Sequence, residues 1–310
     1  MRPRSPGWVL AAALVGISFA GPLVGLSKAD PLVIAAWRVS FSLVVVAAAL
    51  IVTGEWRDWR RLSRRDNLFA FGAGAALAVH FWAWNASIHL TSIAASVTLV
   101  SLQPAVIVAI SALFLGERPS RGQFAGIALA MAGALVIAAP DMGAGPGFSG
   151  NRPLLGNLLA FSAAITAGIY YSIGRHLRAR LGLWGYVGLV YSACALVLVV
   201  LASLNGKPLI PQPERELAIF AALALGPMLL GHTGMNWALK YLPAYVVNLV
   251  VLGEPIGATI LAAVIPGLSQ VPSLATMVGG AIVLAGVAIA ARGSRSTSVT
   301  HDRAGAEAPG

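Results

Sequence analysis

Residues 231–266 read GHTGMNWALKYLPAYVVNLVVLGEPIGATILAAVIP. The stretch is the end of one apolar helix, a tight turn over Lys240–Pro243, and a second complete helix. Near the middle of that second helix stands Glu254, directly before Pro255. A carboxylate at membrane depth costs about 2.5–3.5 kcal/mol on insertion scales, which makes it a functional-site candidate. Residues 80–115, HFWAWNASIHLTSIAASVTLVSLQPAVIVAISALFL, echo the pattern. Shifted by 151 positions, Asn85 falls on Asn236, Pro104 on Pro255 and Gln103 on Glu254. The chain reads as a repeat whose polar midpoints coincide.

Composition sets the solvent. Of 310 residues, 58% are hydrophobic and 10% charged, against about 25% charged in soluble domains. The mean hydropathy is +0.81. These values predict an all-α integral membrane protein, its core spread over apolar spans of about 20 residues each. The formal net charge of +10 does not indicate nucleic acid, because the basic residues fall in alternate loops. Cys194, the single cysteine, supports neither a disulfide framework nor a thiolate metal site. The first 22 residues have the basic start and apolar run of a signal peptide. The run continues to Leu26, however, and further spans follow, so an uncleaved first span is expected.

Ten spans are predicted: Trp8–Leu26, Leu32–Val52, Asn67–Ile88, Ile93–Leu115, Gly122–Ala139, Leu154–Gly174, Trp184–Leu204, Leu217–Ala238, Ala244–Ile265 and Pro272–Ala291. They group into two five-helix repeats, residues 8–139 and 154–291, followed by a polar tail over 292–310 that is expected to be disordered. With both termini in the cytoplasm, sixteen Lys and Arg residues fall on the inner side and four (Lys28, Arg152, Lys207, Arg215) on the outer, as the positive-inside rule requires. Five spans per repeat is an odd number, so the repeats have opposite orientations. Inverted repeats place a binding site near the bilayer midplane between the halves. Pro104 and Pro255 each remove a helical hydrogen bond, at the carbonyls of Val100 and Val251. Irregular backbone at that depth is tolerated only inside protein or against a watery cavity. Gly126 and Gly133 repeat at Gly279 and Gly286 with the same spacing, a pattern that lets membrane helices approach closely.

Glu254 is the first candidate for chemistry, either as a group that gains and loses a proton or as a ligand for an amine. Its structural alternative is a hydrogen bond to a neighbouring helix. Gln103 is its neutral partner in the repeat. Arg38, inside span two, reads as a counter-ion for Glu254, an anion ligand, or a side chain snorkelling to the interface. His80 and His232 lie within one residue of equivalence and can relay protons or bond a neighbouring helix. Asn85, Asn236 and Asn248 can bond cargo or clamp helices. Trp37, Trp82, Trp84 and Trp237 divide between an interfacial belt and a cavity wall. The sequence has no Gly-Lys-Ser/Thr phosphate loop, no Gly-x-Ser-x-Gly elbow and no His-Glu-x-x-His pair. Those motifs would be needed for the corresponding ATP-driven, hydrolase or zinc chemistry, and no cofactor or metal is predicted.

PLVIAAWR (31–38), NASIHL (85–90), Pro104, GERPS (116–120), NWALKYL (236–242) and Glu254-Pro255 together resemble the EamA-type transporters of the drug/metabolite transporter superfamily. The resemblance covers about residues 8–291. It implies a secondary transporter in the plasma or inner membrane, exporting small metabolites, amino acids or drugs by alternating access. Such a protein would exchange a small molecule, with or without protons, within the lipid bilayer, as a monomer or a homodimer. Nucleotide-sugar or sugar-phosphate exchange is an alternative, weakened by there being only one arginine at membrane depth. An intramembrane enzyme is a second alternative, and pseudo-symmetric gating gives it no support. One departure stands out: Gly116-Glu117 has no counterpart in the second half, where Gly267-Leu268 occupies the place. Glu117 is expected to pair with Arg118 or Arg121.

Overall fold

The computed structural model describes residues 6–114, 120–138, 151–242 and 244–289. The expectations for Glu117, Arg118, both termini and the 292–310 tail lie outside these residues. Among the described residues helix is the only regular secondary structure, and seven helices are long and apolar enough to cross a membrane. Three shorter apolar helices, Phe124–Ile137, Val250–Val264 and Leu274–Ile289, accompany them. Large apolar side chains face outward, with Val52 86% and Leu204 79% exposed, as a surface bathed in lipid tails requires.

The first predicted span is α1 (Pro6–Ser18) followed by α2 (Ala20–Leu26). α3 (Pro31–Thr53) begins where the Asp30 carboxylate accepts from Leu32 N, with Pro31 opening the helix, and both are favourable start signals. It ends at Gly54, whose φ of 70° is the left-handed conformation that glycine adopts without penalty. A 3₁₀ turn, Glu55–Arg61, leads to α4 (Arg64–Leu90), which opens on a reciprocal Ser63–Asp66 capping box. Then come α5 (Ile93–Val100), α6 (Gln103–Phe114), α7 (Arg121–Ala138), α8 (Pro153–Arg178) and α9 (Leu183–Leu204). α10 (Glu214–Leu223) continues through a π-helical segment, Ala224–Thr233, into α11 (Gly234–Ala238). α12 (Ala244–Asn248), a 3₁₀ stretch over Leu249–Gly253, α13 (Glu254–Val264) and α14 (Leu274–Ile289) complete the chain.

Besides span one, which is interrupted at Phe19, three predicted spans are not continuous α-helices. Span four breaks at Ser101–Leu102, and span nine changes to 3₁₀ bonding just before Glu254. In each case the Gln-Pro or Glu-Pro pair opens the next helical segment. Proline has no N–H to give to a continuing ladder, yet suits the first turn of a new helix, where that N–H has no helical partner. The Val251 carbonyl, predicted to lose its usual partner, accepts instead from Glu254 N and from Ser101 Oγ. Span eight carries the π segment, with Pro227 inside it, a common cause of such irregularity. Span six extends past its predicted end at Gly174 to Arg178. Arg175 and Arg178 therefore sit in a helical last turn, bonded to the carbonyls of Leu239 and Asn236.

The packing has a pattern. α4 lies along α8, and α1 lies along the π segment; α6 meets α8, and α13 meets α1; α4 meets α9, and α3 meets the π segment. Exchanging each helix for its counterpart in the other predicted half turns one member of each pair of contacts into the other. α5–α13 likewise exchanges with α12–α6, and α3–α9 maps onto itself. α7 and α14 meet through glycine: a Cβ on Gly133 would lie 2.7 Å from Gly279 O, and one on Gly286 would lie 2.6 Å from Gly126 O.

Candidate functional site

The helical breaks converge on a central cavity whose walls include Arg38 of α3, His80 and Trp84 of α4, Gln103 opening α6, and Tyr171 of α8. His232 and Pro227 of the π segment, Met235 of α11 and Glu254 opening α13 complete much of the rest. The cavity volume is ≈ 20 Å³, room for about one water molecule. A molecule of metabolite size would fit only if the walls move apart.

Local sequence explains the wall. Gln103 and Glu254 both line the cavity, and each is the first residue of a helix, α6 after the turn at Ser101–Leu102 and α13 after the 3₁₀ stretch. Helix starts present unsatisfied N–H groups and positive potential. Glu254 is 6% exposed. Arg38 is fully buried, with its guanidinium 4.1 Å from the centre of the Phe81 ring. It does not snorkel. None of its three nitrogens has a hydrogen-bond partner among the described residues, and the same holds for Trp84 Nε1. No ion pair joins Arg38 to Glu254 there.

The two histidines form an aromatic wall. Their rings lie 6.0 Å apart, His80 is parallel to Trp84, and His232 meets the edge of Phe81. His80 Nδ1 lies 2.9 Å from Ala163 O. A carbonyl only accepts, so Nδ1 carries the proton and Nε2 is left to accept or bind one. His232 Nδ1 meets the Tyr171 hydroxyl at 3.1 Å, and that hydroxyl also reaches Met235 Sδ at 3.5 Å.

Five of the eleven sequence candidates thus share one cavity: Glu254, Gln103, Arg38, His80 and His232. Pro104 and Pro255 act one residue away, by opening the half-helices. The asparagines lie elsewhere. Asn85 Nδ2 donates to Pro31 O, Asn236 Nδ2 to the Tyr170 hydroxyl, and Asn248 Nδ2 to Ala244 O of its own helix. The first two tie helices together. Trp37 is outside the wall as well: its indole N–H donates to Leu209 O in the connection before α10. Sequence reasoning passed over Tyr171, Met235 and Pro227. A Tyr170-Tyr171 pair within a span and a proline in span eight were the available signals.

The EamA-like transporter family model matches twice, over residues 7–139 and 154–292. The chain belongs to the EamA-like transporter family. A protein of Archaeoglobus fulgidus named "Uncharacterized transporter" is 25% identical over 92% of this chain and 98% of its own. A Streptantibioticus cattleyicolor protein named "Probable terminal-alkyne amino-acid exporter" is 27% identical over 79% of this chain and 80% of its own. A solved crystal structure has a TM-score of 0.66 at 21% identity, covering 94% of this chain and 98% of that one, and so shares the fold. This EamA-like chain is a multi-pass membrane transporter. Its cavity brings a carboxylate, a guanidinium, an amide and two imidazoles together between its helices.

Proposed function

We propose that the chain is a secondary transporter that exports small metabolites, amino acids or drugs across the plasma or inner membrane. It works by alternating access of two inverted five-helix halves, with both termini in the cytoplasm. Glu254 is the coupling residue, taking up a proton or an amine in turn. The observation that carries this reading is the cavity itself: Glu254 and Gln103, equivalent positions of the sequence echo, open half-helices on the same chamber. The packing pattern that maps each half onto the other supports two gating units, since motion of one repeat against the other around a fixed site is how such folds alternate access. Export rests on the name of the Streptantibioticus relative and on the resemblance in the sequence. The driving force is proton antiport or exchange of metabolites.

The test compares metabolites inside and outside cells expressing the protein, its Glu254→Gln variant or no transporter, at matched membrane levels. Accumulation of a compound outside only with the unsubstituted protein supports export and the role of Glu254. Equal export by the variant removes the coupling role. A covalently altered compound in place of a moved one overturns the transport reading.

A further inference from the structure

The cavity is unevenly supplied with hydrogen-bonding groups. Arg38 offers five N–H donors and Trp84 one, all buried and none with an acceptor among the described residues. Both side chains line the chamber. The other buried atoms in the same situation that can accept, Oδ1 of Asn85, Asn236 and Asn248 and the Tyr186 hydroxyl, belong to side chains outside the wall. A buried guanidinium without partners is strongly unfavourable unless something brings it acceptors. The ring of Phe81 beneath it orients the group and offsets part of that penalty, but a ring face supplies no lone pair to the N–H fork.

We propose that Arg38, with Trp84, anchors the carboxylate of the cargo, and that Glu254 across the chamber receives its ammonium group, so that the cargo is a zwitterionic amino acid. This rests on the transporter reading and narrows it. A carboxylate matches the planar fork of the guanidinium with two parallel hydrogen bonds. The start of α6, at Gln103, lies on the same chamber and carries positive potential. Glu254 argues against a phosphate ester, since one arginine cannot balance a dianion beside a carboxylate. It equally argues against a simple carboxylic acid, which would leave Glu254 without a cation. A molecule carrying both charges satisfies both walls. The apolar remainder of the chamber, with Val100, Val251 and Met235, suits an uncharged side chain.

The experiment uses the full-length protein in lipid vesicles with three labelled probes: L-leucine, isoamylamine (leucine without its carboxylate) and 4-methylpentanoate (leucine without its amine). The same triplet built on L-phenylalanine runs beside it. The expected result, with every rate taken as the excess over protein-free vesicles, is exchange of an amino acid, with each truncated analogue slower by about a hundredfold, the loss typical of leaving a buried charge unpaired. Arg38→Met abolishes that exchange, and Arg38→Lys retains a measurable part of it. In unfolding scans without cargo, Arg38→Met melts at or above the temperature of the unsubstituted protein, because it removes an unpartnered buried charge. If Arg38→Met melts far lower or does not fold, the guanidinium is structural and the proposal falls. If an amine crosses as fast as its amino acid, or Arg38→Met exchanges normally, the proposal falls while the transporter reading stands. If neither these probes nor any compound of a cell extract crosses the membrane, both fall.

Discussion

The Ser101 hydroxyl donates to the carbonyl of Val251 at 3.3 Å. One residue lies in the break between α5 and α6, the other in the 3₁₀ stretch before α13, so the two irregular segments are bonded to each other. The hydroxyl also donates to Val97 O at 2.7 Å within its own helix. It is shared between the two halves. Ser101→Ala is expected to lower stability by about 0.5–1.5 kcal/mol, the net worth of an ordinary hydrogen bond, since Val251 O keeps its bond from Glu254 N. Thermal unfolding in detergent checks the loss. A change in exchange rate beyond the loss of folded protein would show that the bond also governs movement.

Glu254→Gln keeps the size and hydrogen-bonding reach of the side chain while removing its charge. Folding should be retained, because a neutral amide is easier to bury than a carboxylate. Export should fall by about a hundredfold or more, the range seen when a group acting in proton transfer is removed. Membrane yield and melting temperature, measured beside export, separate this outcome from misfolding.

Gly286 packs against α7 so closely that a Cβ there would lie 2.4 Å from Ala130 N. Backbone cannot yield as a flexible side chain does. Gly286→Val should therefore destabilise by about 1–3 kcal/mol, as overpacking generally does. Gly72, which has open space around it, is the control: Gly72→Ala should leave the melting temperature unchanged or raise it, alanine being the better helix former.

Tyr171→Phe removes the hydroxyl that meets His232 while keeping the ring stacked 6.3 Å from the imidazole. The fold should survive with a loss of about 1 kcal/mol. Because the histidine loses the partner that fixes its orientation, the exchange rate should change more than the melting temperature. Concentration-dependent uptake into vesicles measures the rate.

At one end of the molecule Glu216 clamps the α2–α3 connection, accepting from the Ser27 hydroxyl at 2.5 Å and from Lys28 N at 3.1 Å. Lys207 pairs with Asp30 beside it at 2.9 Å. Glu216→Ala leaves the buried Ser27 donor without its partner, at a cost of about 1–3 kcal/mol, and should loosen this end. An Ala20→Cys probe on the cavity wall, in a Cys194→Ala background, should then react faster with a water-soluble thiol reagent. Unchanged labelling would mean that the clamp does not close a path to the chamber.

The sequence carried much of this arrangement in particular residues. Glu254-Pro255 and Gln103-Pro104 were legible because a charged or amide side chain beside proline in an apolar run has few structural explanations. Asp30-Pro31 and Ser63 with Asp66 likewise announce helix starts by local chemistry. The fate of Asn85, Asn236 and Trp37 was not legible: a polar group in a span bonds whatever the tertiary packing brings near, and nothing local distinguishes Pro31 O from cargo. Arg38 shows the same limit from the other side. Its charge was visible, but its isolation from every acceptor among the described residues depends on helices far apart in sequence. The π bonding around Pro227 was missed because a span with a proline reads as an α-helix with one bond removed, and the pattern of apolar residues is barely altered.

The π segment gives His232 an unusual dependence. Its hydrogen bonds span one residue more per turn than those of α10 before it and α11 after it. Reverting residues 224–233 to ordinary α bonding would turn every later side chain about the helix axis relative to α10. His232 would leave its seat against Phe81 and Tyr171, and Met235 and the Asn236–Tyr170 tie would have to follow. The aim of the imidazole and the bonding register of its helix are thus a single variable. A substitution that regularises the helix would act on the chamber as directly as one in its wall, and Pro227→Ala would do both.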